Sequence, residues 1–267
     1  MMLELFNIKK TFNPGTVNEK RALNGISLSV DKGDFITIIG SNGAGKSTLF
    51  NAICGSFLID EGKILLDGKD ITKMPDYKRA FDIGRLFQDP MKGTAPNMTI
   101  EENMSLAYCR KAQKSFFAVN KRDTEYFREL LSQLDLGLED RMKTKIGLLS
   151  GGQRQAVSLL MSTISDPKLL LLDEHTAALD PATAKKVLDI TVDIVEKTKT
   201  ATMMITHDIR AALRLGNRTI MMDEGRIILD ISGETREKMT VEELLALYSK
   251  ESKKQLANDR MLFELEK

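Results

Sequence analysis

A segment rich in small residues constrains the fold of this chain more than any other feature. It runs from Gly40 to Thr48, spells GSNGAGKST, follows an apolar stretch at Phe35 to Ile39 and precedes an apolar helical stretch. Glycines in such a segment let backbone N–H groups surround a phosphate, and the helix that follows adds the positive end of its dipole. The strand before it and the helix after it distinguish it from an ordinary glycine-rich turn, so the sequence predicts a P-loop.

Each residue of this loop has an expected role toward a nucleotide. Lys46 is expected to reach the β- and γ-phosphates, and Ser47 is expected to ligate magnesium. Thr48 is expected near the α-phosphate. The phosphate cradle itself would be formed by Gly40, Ser41, Asn42, Gly43, Ala44 and Gly45.

A second apolar segment, Leu169 to Leu172, ends in the two carboxylates Asp173 and Glu174. This pattern is typical of a buried parallel strand whose carboxyl end meets a ligand. Asp173 suits magnesium, directly or through water, and Glu174 suits polarising an attacking water. An acidic strand end alone is a common surface feature, but together with the P-loop it predicts nucleotide hydrolysis.

Strand-length apolar runs alternate with helix-period segments at Asp34 to Ile39, Leu169 to Leu172 and Ala201 to Ile205. This alternation predicts an α/β fold, a P-loop NTPase (RecA-like) core with a mostly parallel sheet. The stretches Leu3 to Val30 and Lys63 to Thr72 instead predict short strands joined by turns, and hence a small antiparallel β subdomain.

Two further segments have a helical texture. From about Asp89 to Leu148 the apolar residues follow a helical period, which predicts an inserted α-helical subdomain. After Gly233 the chain is highly charged, with apolar residues at helical spacing, which predicts a C-terminal helical tail.

Composition excludes several classes of protein. With Lys+Arg 39 against Asp+Glu 38 in 267 residues, a strongly basic nucleic-acid binder is not indicated, and no nucleic-acid partner is expected. The aliphatic runs are too short to span a bilayer. Two cysteines and two histidines are too few for a disulfide framework or a zinc site. The small number of cysteines favours a reducing cytoplasm as the setting. The metal that we expect is magnesium bound together with a nucleotide.

The pentapeptide from Leu149 to Gln153, Leu-Ser-Gly-Gly-Gln, precedes a helix and the acidic strand. With this segment the chain resembles the nucleotide-binding subunits of ATP-binding-cassette (ABC) proteins. Ser150 and the pair Gly151 and Gly152, followed by Gln153, would form a second anion cradle at a helix N-terminus. The resemblance implies that this cradle caps the γ-phosphate of ATP bound by another subunit. It therefore implies a dimer of nucleotide-binding subunits, which we expect to be a homodimer.

The resemblance assigns roles to four more residues. Phe12 lies where the family places an aromatic residue that stacks on adenine. Gln88 matches the glutamine that contacts magnesium and the attacking water. Asp180 matches the aspartate loop at the dimer interface, and His207 matches the histidine that contacts the γ-phosphate and orients Glu174.

The resemblance also divides the chain. It implies a nucleotide-binding domain over residues 1–233, with a core of 1–88 and 149–233. The helical subdomain would span 89–148, and a helical tail would span 234–267.

The stretch from Asp173 to Pro181, with His175 directly after Glu174, resembles a subset of bacterial importer subunits. That subset accompanies transmembrane permeases and extracytoplasmic solute-binding proteins, with amino acids as the suspected cargo. The resemblance therefore implies an ATPase at the cytoplasmic face of the cell membrane, bound to separate permease subunits. His175 could tune the electrostatics of Glu174 or simply pack in the core.

Other functions remain alternatives. An exporter ATPase is one, and a soluble ABC ATPase is another, although the chain has neither a long coiled-coil arm nor a second cassette. The segment Asn120 to Asp123 spells a guanine-recognition motif, but it lacks the preceding apolar strand that a GTPase requires. A basic cluster from Arg110 to Arg122 around Phe116 and Phe117 favours a solvated loop, with contact to the membrane face as a further hypothesis.

Overall fold

The computed structural model describes residues 1–112 and 121–251. The central part of the basic cluster, residues 113–120 with Phe116 and Phe117, and the distal part of the predicted tail lie outside the described residues. The helices and strands are β1 (Leu3–Phe12), β2 (Lys20–Val30), β3 (Phe35–Gly40), α1 (Lys46–Cys54), β4 (Glu61–Leu66), β5 (Lys69–Asp70), α2 (Asp76–Arg79), β6 (Ile83–Leu86), α3 (Ile100–Ala112), α4 (Lys121–Ser132), α5 (Gly151–Thr163), β7 (Leu169–Asp173), α6 (Pro181–Thr198), β8 (Ala201–Ile205), α7 (Ile209–Arg214), β9 (Arg218–Asp223), β10 (Arg226–Ser232), α8 (Gly233–Glu237) and α9 (Val241–Glu251). Short 3-10 helices span Pro90–Gly93 and Ile146–Leu148.

The chain forms two compact units. The first unit contains Met1–Ala80 and the described residues from Ala201 onward, and the second contains Phe81–Thr200. The predicted domain boundaries at residues 88, 149 and 233 follow a different division, one based on family resemblance, and they stay a prediction.

An antiparallel sheet forms the beginning of the first unit, with strand order β2-β1-β4-β5. Leu3 lies opposite Val30 on one side and Leu66 on the other. The turn between β4 and β5 uses Asp67 and Gly68, both with positive φ angles, as an Asp-Gly turn requires. The predicted antiparallel subdomain is therefore confirmed.

The first unit also contains strands in the order β10-β9-β3-β8. Strand β3 pairs in parallel with both β8 and β9, and all six of its residues are buried. This environment explains its mostly apolar sequence, because a strand covered on both faces has no exposed side. Strand β10 pairs antiparallel with β9.

The described part of the C-terminal tail packs within the first unit. Leu244 and Tyr248 on α9 are almost fully buried and belong to an apolar cluster that includes Ile39 of β3 and Met221 of β9. Helix α9 thus covers the sheet next to the P-loop, as its helical spacing of apolar residues predicts.

The second unit combines the parallel pair β6 and β7 with helices α3 to α6. Its core joins residues of α3, α4 and α5, including Met104, Phe127 and Val157, which are fully buried. The α/β class with parallel strands and a helical region is as predicted. No helix in the described residues has both the length and the apolar character needed to cross a bilayer.

Candidate functional site

The P-loop connects the buried strand β3 to helix α1 in the first unit. Gly40, Gly43 and Gly45 have φ angles of 147°, 84° and 99°, which a residue with a Cβ atom rarely adopts. A Cβ atom on Gly40 would lie 2.1 Å from the carbonyl oxygen of Met222, and one on Gly45 would lie 2.5 Å from that of Ala22. Glycine is required at both positions because the loop packs directly against neighbouring backbone.

Lys46, the first residue of α1, is buried and folds back over the loop. Its Nζ atom donates to the carbonyl oxygens of Gly40 at 2.6 Å and Ser41 at 3.1 Å. Helix α1 has no acidic residue in its first turn, and its N-cap residue, Gly45, has no side chain to bond the first N–H groups. The ammonium group and the helix dipole therefore both favour an anion at this loop.

The other loop residues differ in exposure. Asn42, Gly43 and Ser47 are exposed, and Thr48 is half-buried. These exposed residues leave the loop accessible to a ligand from solvent, as a nucleotide-binding loop requires. The exposure of Ser47 is compatible with its predicted role toward magnesium.

Two contacts that sequence reasoning missed fix the loop to the end of β9 and the turn after it. The Ser41 hydroxyl donates to Asp223 Oδ1 at 3.2 Å, and both residues are buried. The N–H group of Gly225 donates to the carbonyl oxygen of Ala44 at 3.0 Å. No local pattern signals these partners, since 182 positions separate Ser41 from Asp223.

Arg79 was also missed, and it supports the opposite end of helix α1. Its Nη1 atom donates to the carbonyl oxygens of Ala52 at 2.9 Å and Ile53 at 2.8 Å, and Nε and Nη2 donate to Met74 and Thr72. Burial lowers the pKa of the guanidinium group from its usual value, yet the negative end of the helix dipole favours a cation there. Arg79 thus stabilises the helix that carries Lys46.

Phe12 and His207 lie at or after the ends of strands in the first unit. Phe12 ends β1, with its ring 5.3 Å from that of Phe57 in an edge-to-face contact and 5.7 Å from Lys10 Nζ. His207 is half-buried and follows β8, directly before Asp208, whose carboxylate caps α7. Stacking of Phe12 on adenine and contact of His207 with the γ-phosphate stay predictions.

In the second unit, Gln88 and Glu174 are brought together across 86 positions of sequence. Gln88 Nε2 donates to Glu174 Oε2 at 3.2 Å. Glu174 directly follows β7 and has a positive φ angle of 45°. The structure therefore pairs the residue predicted to polarise water with the residue predicted to contact both water and magnesium.

Asp173, the last residue of β7, is buried. Its Oδ2 atom lies 3.7 Å from Nη2 of Arg85 on the neighbouring strand β6. Arg85 was not identified from the sequence, because it is a single charged residue within a short apolar strand.

The predicted signature segment begins helix α5. The Ser150 hydroxyl accepts from the Gln153 N–H group, and the Gln153 side chain accepts from the Ser150 N–H group, which together form a capping box. A Cβ atom on Gly151 would lie 3.3 Å from Leu179 Cδ2, and one on Gly152 would lie 2.0 Å from Thr183 Cγ2. Gly152 is therefore required for close packing of α5 against α6, a reason that the sequence did not reveal.

Asp180 is the N-cap residue of α6. Its carboxylate accepts from the N–H group of Thr183 at 3.1 Å, and hydrogen bonds from Thr183 lower the pKa of Asp180 below its usual value. The predicted interface aspartate is thus fixed in position by a residue that also packs against Gly152.

Gln155 connects helix α5 to the segment that contains Gln88. It is buried, and its Nε2 atom donates to the carbonyl oxygen of Phe87 at 3.3 Å. Sequence reasoning missed this residue. Its position two residues after Gln153, in the first turns of α5, is the one signal that could have drawn attention to it.

His175 is fully buried directly after Glu174. Its Nε2 atom lies 3.1 Å from Thr191 Oγ1, and the Thr191 hydroxyl donates to the carbonyl oxygen of Val187. The histidine therefore donates to Thr191. Burial lowers the pKa of His175 to about 4, so the ring is neutral near pH 7 and does not place a positive charge beside Glu174.

The residue types fit Mg²⁺ bound with a nucleotide. Hydroxyl, amide and carboxylate oxygens are ligands that Mg²⁺ accepts, and Mg²⁺ commonly uses one or two protein ligands together with phosphate oxygens. The described residues contain no group of three or more His, Cys, Asp or Glu side chains suited to a metal. The hydroxyl, amide and carboxylate groups of Ser47, Gln88 and Asp173 are thus of types that suit Mg²⁺ bound together with phosphate oxygens.

Comparison with known proteins identifies the family. The model of the family described as ABC transporter matches residues 23–177. The chain belongs to the ABC transporter family, as an ATP-binding and ATP-hydrolysing cassette. This membership confirms the resemblance drawn from the sequence motifs.

Several relatives match nearly their whole length. A tyrosine transport ATP-binding protein of Clostridioides difficile is 42% identical over 249 residues, covering 91% of this chain and 97% of that protein. A xylose/arabinose import ATP-binding protein of Sulfolobus acidocaldarius is 33% identical, covering 91% of this chain and 92% of that protein.

Solved ATP-binding cassettes have a similar structure. A dimeric cassette in a post-hydrolysis state, bound to ADP and Pi, has a TM-score of 0.74 at 29% identity, covering 86% of this chain and 98% of that one. The ADP conformation of a cassette from an ABC transporter has a TM-score of 0.73 at 30% identity, covering 93% of this chain and 98% of that one.

Proposed function

We propose that this chain is the ATP-hydrolysing subunit of an importer, which couples ATP binding and hydrolysis to movement of separate membrane permeases. The hydrogen bond between Gln88 and Glu174 is the observation that carries the catalytic part of the proposal. It fixes the Glu174 carboxylate at the end of a buried strand, where a general base for water attack is needed.

In this mechanism the P-loop binds the phosphates of ATP, with Lys46 leaving its contacts to the loop carbonyls for the β- and γ-phosphates. Ser47, Gln88 and Asp173 would hold Mg²⁺, which supplies neutralising charge to the phosphates when bound. Glu174 accepts the proton of the attacking water, and His207 contacts the γ-phosphate. Phe12 stacks on adenine.

We infer that two copies enclose two ATP molecules. Ser150, Gly151 and Gly152 of one copy would contact the γ-phosphate bound by the other, and Asp180 would lie at their interface. The capping box leaves α5 with an ordered N-terminus that suits a second anion contact. Similarity to a dimeric cassette supports this assembly.

The cargo proposed for this transporter is an amino acid. Tyrosine is named for the relative with 42% identity, and methionine is named for a relative from Rhizobium johnstonii with 35% identity. Other relatives are named for sulfate/thiosulfate at 37% identity, for spermidine/putrescine at 34%, and for a sugar pair or phosphonates at 32 to 33%, so the proposed cargo rests on the tyrosine relative. An importer of this kind would place the chain at the cytoplasmic face of the membrane, with permease subunits and an extracytoplasmic solute-binding protein as partners.

The partner proposal is tested by tagging the chain in its native cell, solubilising membranes gently and identifying the proteins that copurify. A polytopic membrane protein in stoichiometric amount is the expected result. Recovery of only soluble partners, ribosomes or DNA would contradict a transporter and favour the soluble class of ABC ATPase.

Direction and cargo are tested by uptake of labelled amino acids in a strain that lacks the chain. Complementation with the wild-type chain is expected to restore uptake, and complementation with Glu174→Gln is expected to fail at equal expression. Faster loss of preloaded amino acid on complementation would indicate an exporter and overturn the proposed direction.

A further inference from the structure

Arg85 is a largely buried arginine of the second unit to which the mechanism above gives no role. It lies on β6 opposite Leu171 of β7. Because side chains alternate along a strand, Arg85 shares a face of the strand pair with Asp173, two residues beyond Leu171. Their side chains are only 14% and 11% exposed. The fold therefore places a positive charge beside the carboxylate that is expected to bind Mg²⁺.

The contact between the two groups is an ion pair without a hydrogen bond. Arg85 Nη2 lies 3.7 Å from Asp173 Oδ2, beyond hydrogen-bonding distance. The Nε atom of Arg85 is buried and has no hydrogen-bond partner within the described part of the chain. Arg85 therefore attracts the Asp173 carboxylate electrostatically and does not bind it in the bidentate geometry that would occupy both oxygens.

A second contact fixes the guanidinium group in place. Its Cζ atom lies 4.5 Å from the centroid of the Phe87 ring, in a cation–π contact. Phe87 directly precedes Gln88, and its carbonyl oxygen accepts from Gln155 on α5. Arg85 thus contacts both Asp173 and the segment that positions Gln88.

We propose that Arg85 is a positioning residue that serves as a counter-ion of Asp173 and competes with Mg²⁺ for this carboxylate. A buried carboxylate is costly without a counter-charge, and Arg85 supplies that charge before the metal binds. Once Mg²⁺ binds, the two cations repel each other, so Arg85 weakens the contribution of the metal to nucleotide binding. This inference rests on the proposed function, because it takes Asp173 as a magnesium ligand.

The test compares ADP binding in Mg²⁺ and in EDTA by isothermal titration calorimetry, since ADP is not hydrolysed. The measured quantity is the ratio of the Kd in EDTA to the Kd in Mg²⁺. For Arg85→Met, which removes the charge and keeps an apolar stem, the ratio is expected to rise several-fold above that of the wild type. For Arg85→Lys, which keeps the charge, it is expected to stay near the wild-type value.

Arg128→Met is the matched control, because it removes an exposed arginine from an ion pair with Asp140 in the same unit. Its ratio is expected to equal that of the wild type. A ratio for Arg85→Met that is unchanged or lower would overturn the proposal. Arg85→Gln also removes the charge and replaces Arg85→Met if that variant does not fold. The same ratio of Kd values is then measured, and a ratio that is unchanged or lower again overturns the proposal.

The magnesium dependence of ATP hydrolysis is the second measurement. Arg85→Met is expected to need less Mg²⁺ for half-maximal rate, because the competing charge is gone. Its kcat is expected to be lower, because Phe87, which precedes Gln88, loses its contact with the guanidinium group. A purely structural role would lower kcat and leave the magnesium requirement unchanged. Absence of Mg²⁺-dependent hydrolysis in the wild type would instead contradict the proposed function, so the two failures are distinguishable.

Discussion

Glu174 has a backbone conformation that its residue type disfavours, with φ at 45° directly after a buried strand. A non-glycine residue in this left-handed region costs on the order of 1 kcal/mol or more, and such conformations cluster at functional sites. The hydrogen bond from Gln88 accompanies this strain. Backbone strain and a hydrogen bond to Gln88 therefore occur together at the residue assigned as the general base.

Glu174→Gln is expected to bind ATP and to lower kcat by about a hundredfold or more, because the amide cannot accept a proton from water. Steady-state phosphate release and ATP binding measure the two effects. Glu129→Gln, at an exposed position of α4, is the control and is expected to hydrolyse ATP normally. Turnover of Glu174→Gln near the wild-type rate would refute the assignment of the base.

His175 is expected to make the protein sensitive to acid. Burial lowers its pKa to about 4 in the folded chain, from 6.5 in the unfolded chain. Above pH 6.5 neither state binds the proton, so the titration of this histidine does not change the free energy of unfolding with pH. As pH falls from 6.5 to 4, only the unfolded chain binds it, and stability falls by up to about 3 kcal/mol, at about 1.4 kcal/mol per pH unit.

Thermal unfolding between pH 7.5 and 4.5 tests this expectation. His175→Gln keeps a donor for Thr191 and removes the titration, so its Tm is expected to fall less with acid than that of the wild type. Gln133→Ala, at an exposed position that does not titrate, is the control and is expected to retain the wild-type acid sensitivity. Equal acid slopes for His175→Gln and the wild type would contradict the neutral, buried state of His175.

At the scale of elements, the packing of α5 against α6 depends on Gly152. The close approach of Gly152 to Thr183 brings together the start of the signature helix and the first turn after Asp180. Both segments carry residues predicted to lie at the ATP-binding dimer interface. Their relative position is therefore determined by a side-chain contact within the second unit.

Gly152→Ala is expected to destabilise the protein by about 1 to 3 kcal/mol, because the new methyl group overlaps Thr183 Cγ2. Thr183→Ser removes that methyl group and keeps the backbone N–H that donates to Asp180. The double variant is expected to recover much of the lost stability in urea unfolding. Additive effects of the two substitutions would contradict a direct clash.

The sequence predicted the elements with strong local patterns. Strand β3, the P-loop and strand β8 follow from mostly apolar runs and glycine spacing. The motifs also identify Gln88 and Glu174 as site residues, although they do not reveal the contact between them. Contacts between distant segments could not be predicted. Asp223, Arg79, Gln155 and Arg85 act through partners that only the tertiary structure brings near, and one charged or polar residue leaves no periodic signal.

At the scale of the whole molecule, the predicted site residues are divided between the two units. The first unit contains the P-loop, Phe12 and His207, and the second contains Gln88, Asp173, Glu174 and the signature segment. Hydrolysis by the proposed mechanism needs residues of both units, and the proposed dimer adds the signature segment of a second copy. ATP binding is therefore expected to promote dimerisation of the chain, in addition to ATP being the substrate of hydrolysis.

The most direct test of this account is the oligomeric state of Glu174→Gln with and without ATP, measured by size-exclusion chromatography with light scattering. The account predicts a monomer of about 30 kDa without nucleotide and a dimer with ATP, since this variant binds ATP and does not consume it. Adding Lys46→Ala to the same variant is expected to abolish the dimer through loss of phosphate binding. A Glu174→Gln chain that binds ATP and remains a monomer at every concentration would contradict the account.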